Sequence, residues 1–131
     1  MPRANSRTTG KLGEDLAVKY LLSKKYKILT RNYRTRIGEI DIVAVDSHGT
    51  LIFVEVKSLR TPIELSGSDD RAYPEEHMTP KKYKTISRVA ELFCAEHSLT
   101  NLQEVRIDLI AIDLAPDGAL LNIRHITNTL L

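Results

Sequence analysis

At 131 residues the chain has the length of one domain, 1–131, with enough residues to bury a core of its own. Hydrophobic residues at 42% and charged residues at 27% are ordinary for a soluble globular protein, and no apolar run reaches the length that spans a bilayer, so no membrane partner is expected. The net charge of +2 does not by itself announce a nucleic-acid binder, and the single cysteine, Cys94, excludes an internal disulfide.

The start of the chain is basic but lacks a following apolar segment, which argues against a signal peptide and for the cytoplasm. Residues 10–24 then place Leu12, Leu16 and Tyr20 at helical spacing, with Ala17, Val18 and Leu21 widening the apolar surface. Thr8 or Thr9 is placed to cap this helix. Residues 26–34 carry Ile28, Thr30 and Tyr33 among charges, the pattern of an edge strand. Two apolar runs follow, 40–45 and 51–56, too short for helices and rich in Ile and Val, as central strands are. Ser47, His48 and Gly49 between them suit a three-residue hairpin loop.

Residues 58–79 have no periodicity and contain Pro62, Gly67 and Pro74, which predicts a long loop. Thr79 and Pro80 open a second helix as cap and first residue, with Tyr83, Ile86, Val89, Ala90 and Phe93 as its buried stripe, fading near His97. Cys94 falls in this pattern and reads as a small packed hydrophobe. Residues 105–114 form another buried strand, 115–118 a turn, and 120–126 a last strand. The order αβββαββ predicts an α/β fold, a mixed sheet flanked by helices.

Charges interrupt the two central strands. With Ser47 to Gly49 as the loop, Asp46 faces Thr50, Asp41 falls opposite Glu55, and Glu39 opposite Lys57. Opposed residues lie roughly 4.5–5.5 Å apart at Cβ and share a face, as do Glu55 and Lys57 two apart on one strand. Like charges so placed are destabilising unless a proton or cation lies between them. Mg²⁺ prefers carboxylate oxygens, and beside a lysine it suits phosphodiester hydrolysis. A cross-strand charge network at the sheet's edge is the alternative reading of the same four residues.

Glu14 heads the stripe Ala17, Val18 and Leu21, and Lys82 heads Ile86, Val89 and Phe93, so both charges point along buried surface toward a partner. A helix-terminal acid and an exposed helix-start lysine are the plainer accounts of the two. Lys24, Lys25, Lys27, Arg31, Arg34 and Arg36 form a stripe without an acid between 24 and 36, either a phosphate-binding footprint or a solvated face. No histidine pairs with another at metal-ligand spacing.

Gly10-Lys11-Leu12-Gly13-Glu14, followed by Ala17 and Tyr20-Leu21-Leu22, resembles the opening of the bacterial YraN-like family, which is similar to archaeal Holliday-junction resolvases. Gly38-Glu39-Ile40-Asp41-Ile42-Val43-Ala44 and Phe53-Val54-Glu55-Val56-Lys57-Ser58 carry the resemblance most specifically; Pro80-Lys81-Lys82 and Arg106-Ile107-Asp108 also fit. It implies a restriction-endonuclease-like αβββαβ core of the PD-(D/E)XK type. It further implies Asp41, Glu55 and the Val56 carbonyl as metal ligands, Lys57 as catalytic lysine and Glu14 as the helical acid of the site. Asp108 is implied as a family position and reads as structural. Asp69, Asp70, Glu75 and Glu76 make the long loop more acidic than a DNA-facing loop should be.

The expectation is a nuclease using Mg²⁺ or Mn²⁺ on nucleic acid, DNA before RNA, with Asp41, Glu55, Lys57 and Glu14 at the centre and Arg31, Arg34, Arg36 and Lys82 on the phosphates. A homodimer would suit two-fold symmetric substrates. A non-catalytic nucleic-acid-binding module that retains the fold is the competing expectation, and a protein-interaction subunit a third.

Overall fold

The computed structural model describes residues 6–60, 78–99 and 104–129. Their elements run α1 (Ser6–Ser23), β1 (Lys27–Arg34), β2 (Glu39–Val45), β3 (Leu51–Arg60), α2 (Pro80–Glu96), β4 (Val105–Leu114) and β5 (Leu120–Ile126). The predicted order and type of every element hold. The long loop expected between the third strand and the second helix falls mostly on 61–77, outside the described residues, as do its four acids.

The five strands lie in the order β1-β2-β3-β4-β5, with β3 and β4 parallel and the other pairs antiparallel, so the sheet is mixed. β1 is an edge strand, as its charges predict. The hairpin loop forms where it is expected. Asp46 Oδ1 accepts from the amides of His48 and Thr50, both at 2.9 Å, and Gly49 takes φ +86°, a conformation that favours glycine. The register that follows pairs Val45 with Leu51 and Ile42 with Val54.

Alternate residues of the central strands feed two cores. On one face Ala17 and Leu21 of α1 pack on Ile42, Ala44, Ile52 and Val54, while on the other Ile86, Val89 and Phe93 of α2 pack on Ile40, Phe53 and Leu109. Thr79 caps α2 by accepting from the Lys82 amide at 3.1 Å, with Pro80 in the first turn. Cys94 is partly buried against the α2-side core.

Two expectations fail. α1 begins at Ser6, so neither Thr8 nor Thr9 is its cap; the Thr9 hydroxyl instead accepts from Arg60 Nε at 2.8 Å, tying the helix to the end of β3. β3 also continues four residues past Val56, because β4 offers it a parallel partner as far as Arg60 opposite Leu114. Local sequence carries no sign of that partner.

Candidate active site

The site is built where β2 and β3 part. Their ladder ends at Ile42 and Val54, and just beyond it Asp41 Oδ2 accepts from the Val56 amide at 2.7 Å. A carboxylate thus takes the donor that a continuing strand would have taken. Asp41 and Glu55 remain neighbours, close enough for each carboxylate to disfavour ionisation of the other. They do not continue as an opposed pair in the ladder, and they line adjoining cavities that share Glu39. Asp41 lines a cavity of about 780 Å³ together with Glu14, Val56 and Lys57. Glu55 lines a second one, beside Thr79, Lys82 and Ile86.

Burial is the largest influence on Asp41. Together with the Glu55 carboxylate it pushes the acid up to about 7; the Val56 amide opposes this, and Glu14 adds to it from α1. An Asp held near neutrality by burial and two acids is a group poised to exchange a proton or a cation.

Glu14 reaches this cavity because α1 sits unusually low on β3. A Cβ on Gly13 would fall 1.6 Å from Ser58 Oγ and 2.6 Å from Ser58 Cβ, so only glycine permits the approach. Gly13→Ala should therefore lift the helix. Alanine gains roughly 1 kcal/mol in helix propensity, but overpacking costs about 1–3 kcal/mol, and a net loss is expected in urea unfolding. A higher midpoint would show that α1 shifts without cost.

The arginines Arg31 and Arg34 of the expected basic stripe are paired within the protein, while Lys25 and Lys27 are exposed. Arg31 Nη2 lies 2.6 Å from Asp15 and 3.0 Å from Glu14, and Asn32, with φ +54°, also donates to Glu14 at 3.0 Å. Arg34 Nε lies 3.2 Å from Glu39, an exposed pair, and Glu39 lines the Asp41 cavity together with Lys57 as well as the Glu55 cavity. Lys24 sits over the Tyr20 ring. Arg36 is exposed at the β1–β2 turn. Lys82 Nζ lies 2.5 Å from Glu55, so this lysine neutralises an acid of the site, which its position at the head of the α2 stripe permits. Lys57 lines the Asp41 cavity and not the Glu55 one. Among the described residues no three Asp, Glu, His or Cys side chains converge as a ready cation cage.

Asp15 and Asn32 escape sequence reasoning, since only the α1–β1 contact gives them a role. A second polar cluster lies at the hairpin end of the sheet, where Asp108 has the structural setting expected of it and His125 is the member the sequence did not reveal. Asp108 is fully buried and accepts from Arg106 Nε at 2.8 Å, Arg106 Nη2 at 3.0 Å and the Asn128 amide at 2.9 Å. His125 Nε2 lies 2.7 Å from it, and His125 Nδ1 lies 3.1 Å from the Tyr20 hydroxyl. Burial alone would raise Asp108, but the bonds from His125 and Arg106 outweigh it and hold the acid below the usual carboxylate range. The alternating pattern of β5 gives no hint that His125 is a ligand of a buried acid.

A mixed five-stranded sheet between two helices, with three acids and a lysine gathered where its central strands part, defines an α/β protein with an acidic centre at one end of the sheet. The chain belongs to the uncharacterised protein family UPF0102, whose family model matches residues 13–112. It is 44% identical over 103 residues to a UPF0102 protein of Persephonella marina, covering 79% of this chain and 81% of the relative. A UPF0102 protein of Dictyoglomus turgidum is 37% identical over 124 residues, covering 95% and 98%. Among solved structures, a repair endonuclease from Pyrococcus abyssi aligns over 90% of this chain at 17% identity and a TM-score of 0.43. The complex of EndoMS with double-stranded DNA aligns over 80% at 16% identity and a TM-score of 0.39. This chain spans 42% and 36% of those two chains. Among the described residues no helix is long and apolar enough to cross a membrane.

Proposed function

We propose that the chain is a nuclease that hydrolyses phosphodiester bonds in DNA with Mg²⁺ or Mn²⁺, centred on Asp41, Glu55, Lys57 and Glu14. One observation carries the reading: Asp41, pushed up to about 7 by burial and by Glu55 and Glu14, has a backbone amide as its hydrogen-bond donor. A charge network would be expected to satisfy its most buried acid with a cation of its own, and here the lysine on β3 stands in the same cavity without forming an ion pair among the described residues.

The donors fit the group. Asp41, Glu55 and the Val56 carbonyl are hard oxygens, and Mg²⁺ is commonly held by one or two carboxylates while keeping several waters. When bound, such a cation supplies Lewis-acid polarisation of a phosphoryl oxygen. Asp41 and Glu55 hold it in this reading, and Lys57 steadies negative charge developing on the phosphate. Glu14, kept in place by Arg31 and Asn32, holds the far wall of the cavity acidic. Of Arg31, Arg34, Arg36 and Lys82, Arg36 and the exposed side of Arg34 are left to meet the phosphate backbone, beside the exposed Lys25 and Lys27.

Cleavage of duplex, single-stranded, flap or four-way-junction DNA should require Mg²⁺ or Mn²⁺ and disappear in Asp41→Asn and Glu55→Gln. Lys57→Ala should cost on the order of 10²–10³ in rate, as the loss of one transition-state donor does. Undiminished cleavage in EDTA would refute the assignment. The Lys82–Glu55 and Arg31–Glu14 pairs favour a second reading, a non-catalytic nucleic-acid-binding module whose acids are neutralised internally. DNA binding without cleavage of any of these substrates would decide for it.

A further inference from the structure

The turn between β1 and β2 and the carboxyl half of α2 enclose a groove next to the proposed centre. Tyr33, Ile37 and Leu92 wall it, Arg34 and Arg36 stand at its rim, and Glu96 closes one side, around a volume of about 730 Å³. Ile37 is 49% exposed and Leu92 41% exposed, a pair of large apolar side chains facing the same open space. Arg34 lines both this groove, on the α2 side, and the Asp41 cavity, on the α1 side.

The groove is preorganised. The Thr35 amide donates to the Gly38 carbonyl at 2.8 Å, and the Thr35 hydroxyl accepts from the amides of Ile37 at 3.1 Å and Gly38 at 3.2 Å, which fixes the turn that presents Ile37. A Cβ on Gly38 would fall 2.9 Å from Thr85 Cγ2, so glycine lets the turn seat directly on α2. The Tyr33 hydroxyl donates to Glu96, and its ring packs edge-on against Phe93 with centroids 5.1 Å apart. An aromatic face held this way loses no side-chain freedom when a flat ligand meets it.

We propose that this groove binds an unpaired nucleotide, the base against Tyr33, Ile37 and Leu92 and the flanking phosphates on Arg34 and Arg36. An aromatic and apolar slot beside a basic rim is what single-stranded nucleic acid requires, because every base offers a π face and every residue of the strand a phosphate. A base inside a duplex is stacked and paired and does not reach such a slot, whereas a flap or branch presents one. The inference rests on the nuclease reading and narrows its substrate to DNA that carries a single-stranded segment beside the bond to be cut.

The test compares wild type with the double variant Ile37→Ser, Leu92→Gln, whose positions are exposed and whose melting temperature should match wild type. Fluorescence anisotropy is read for a blunt duplex and for the same duplex bearing a single-stranded flap, in EDTA and again with Ca²⁺. The double variant should bind the flapped probe about tenfold more weakly and the blunt one unchanged. Arg36→Gln should lower the salt slope for the flapped probe by about one. Equal loss on both probes, or no loss on either, overturns the groove assignment while leaving the nuclease reading to its cleavage assay. Wild type that binds neither probe in either condition overturns both.

Discussion

Asp41→Asn should make the metal-free protein more stable at pH 8, by on the order of 2–4 kcal/mol, or about 10 °C in melting temperature. The folded protein raises this acid from 3.8 to about 7, so between those values the native state holds a proton that the unfolded chain has released. Stability must then fall as pH rises through that window, and the loss is complete only above about 7. Asparagine keeps an oxygen to accept from the Val56 amide and has no charge to repel Glu55 or Glu14. The advantage of the variant should accordingly vanish near pH 4 and be full at pH 8. Millimolar Mg²⁺ should raise the melting temperature of wild type by mass action and do little for the variant. A variant clearly less stable than wild type in EDTA, with a wild type indifferent to Mg²⁺, would show that Asp41 is a structural acid and would remove the basis of the proposed centre.

The largest destabilisation is expected at the other end of the sheet. Asp108→Ala takes the shared acceptor from Arg106, His125 and the Asn128 amide, and Arg106 and His125 are themselves largely covered, their side chains 22% and 9% exposed. Arg106 keeps the Tyr26 hydroxyl at 2.9 Å and Asp46 at 3.7 Å, and His125 keeps the Tyr20 hydroxyl, so the loss should lie at the lower end of the roughly 3–5 kcal/mol typical of breaking a buried charge pair. Urea unfolding should show a lower midpoint with an unchanged slope. The native state lowers Asp108 below its ordinary 3.8, so its contribution is present above that value and is lost as pH falls through the lower folded one. The gap between wild type and Asp108→Ala should therefore narrow below about pH 4. A loss under about 1 kcal/mol at neutral pH would mean that water replaces the carboxylate and that the cluster is not holding β4 to β5.

Much of this protein follows from short-range pattern. Apolar spacing identifies α1 and α2, runs of Ile and Val identify β2 and β3, and Asp46 with Gly49 sets the hairpin loop and hence the pairing of Ile42 with Val54. Those inferences rest on interactions within a few residues, and a turn of known length leaves a single register. For the same reason Asp41 and Glu55 could be recognised as neighbours from sequence.

What lies beyond that ladder was decided by contacts between distant parts of the chain. β4 draws β3 on to Arg60, the strands part after Val54, and Asp41 and Glu55 come to line adjoining cavities with Lys57 on the Asp41 side. Arg31 finds Glu14 and Asp15, Lys82 finds Glu55, and His125 finds Asp108 from 17 residues away. A charge in a sequence states what a side chain needs, and only the packing of helices on the sheet, set here by the missing Cβ of Gly13, determines which opposite charge comes within reach.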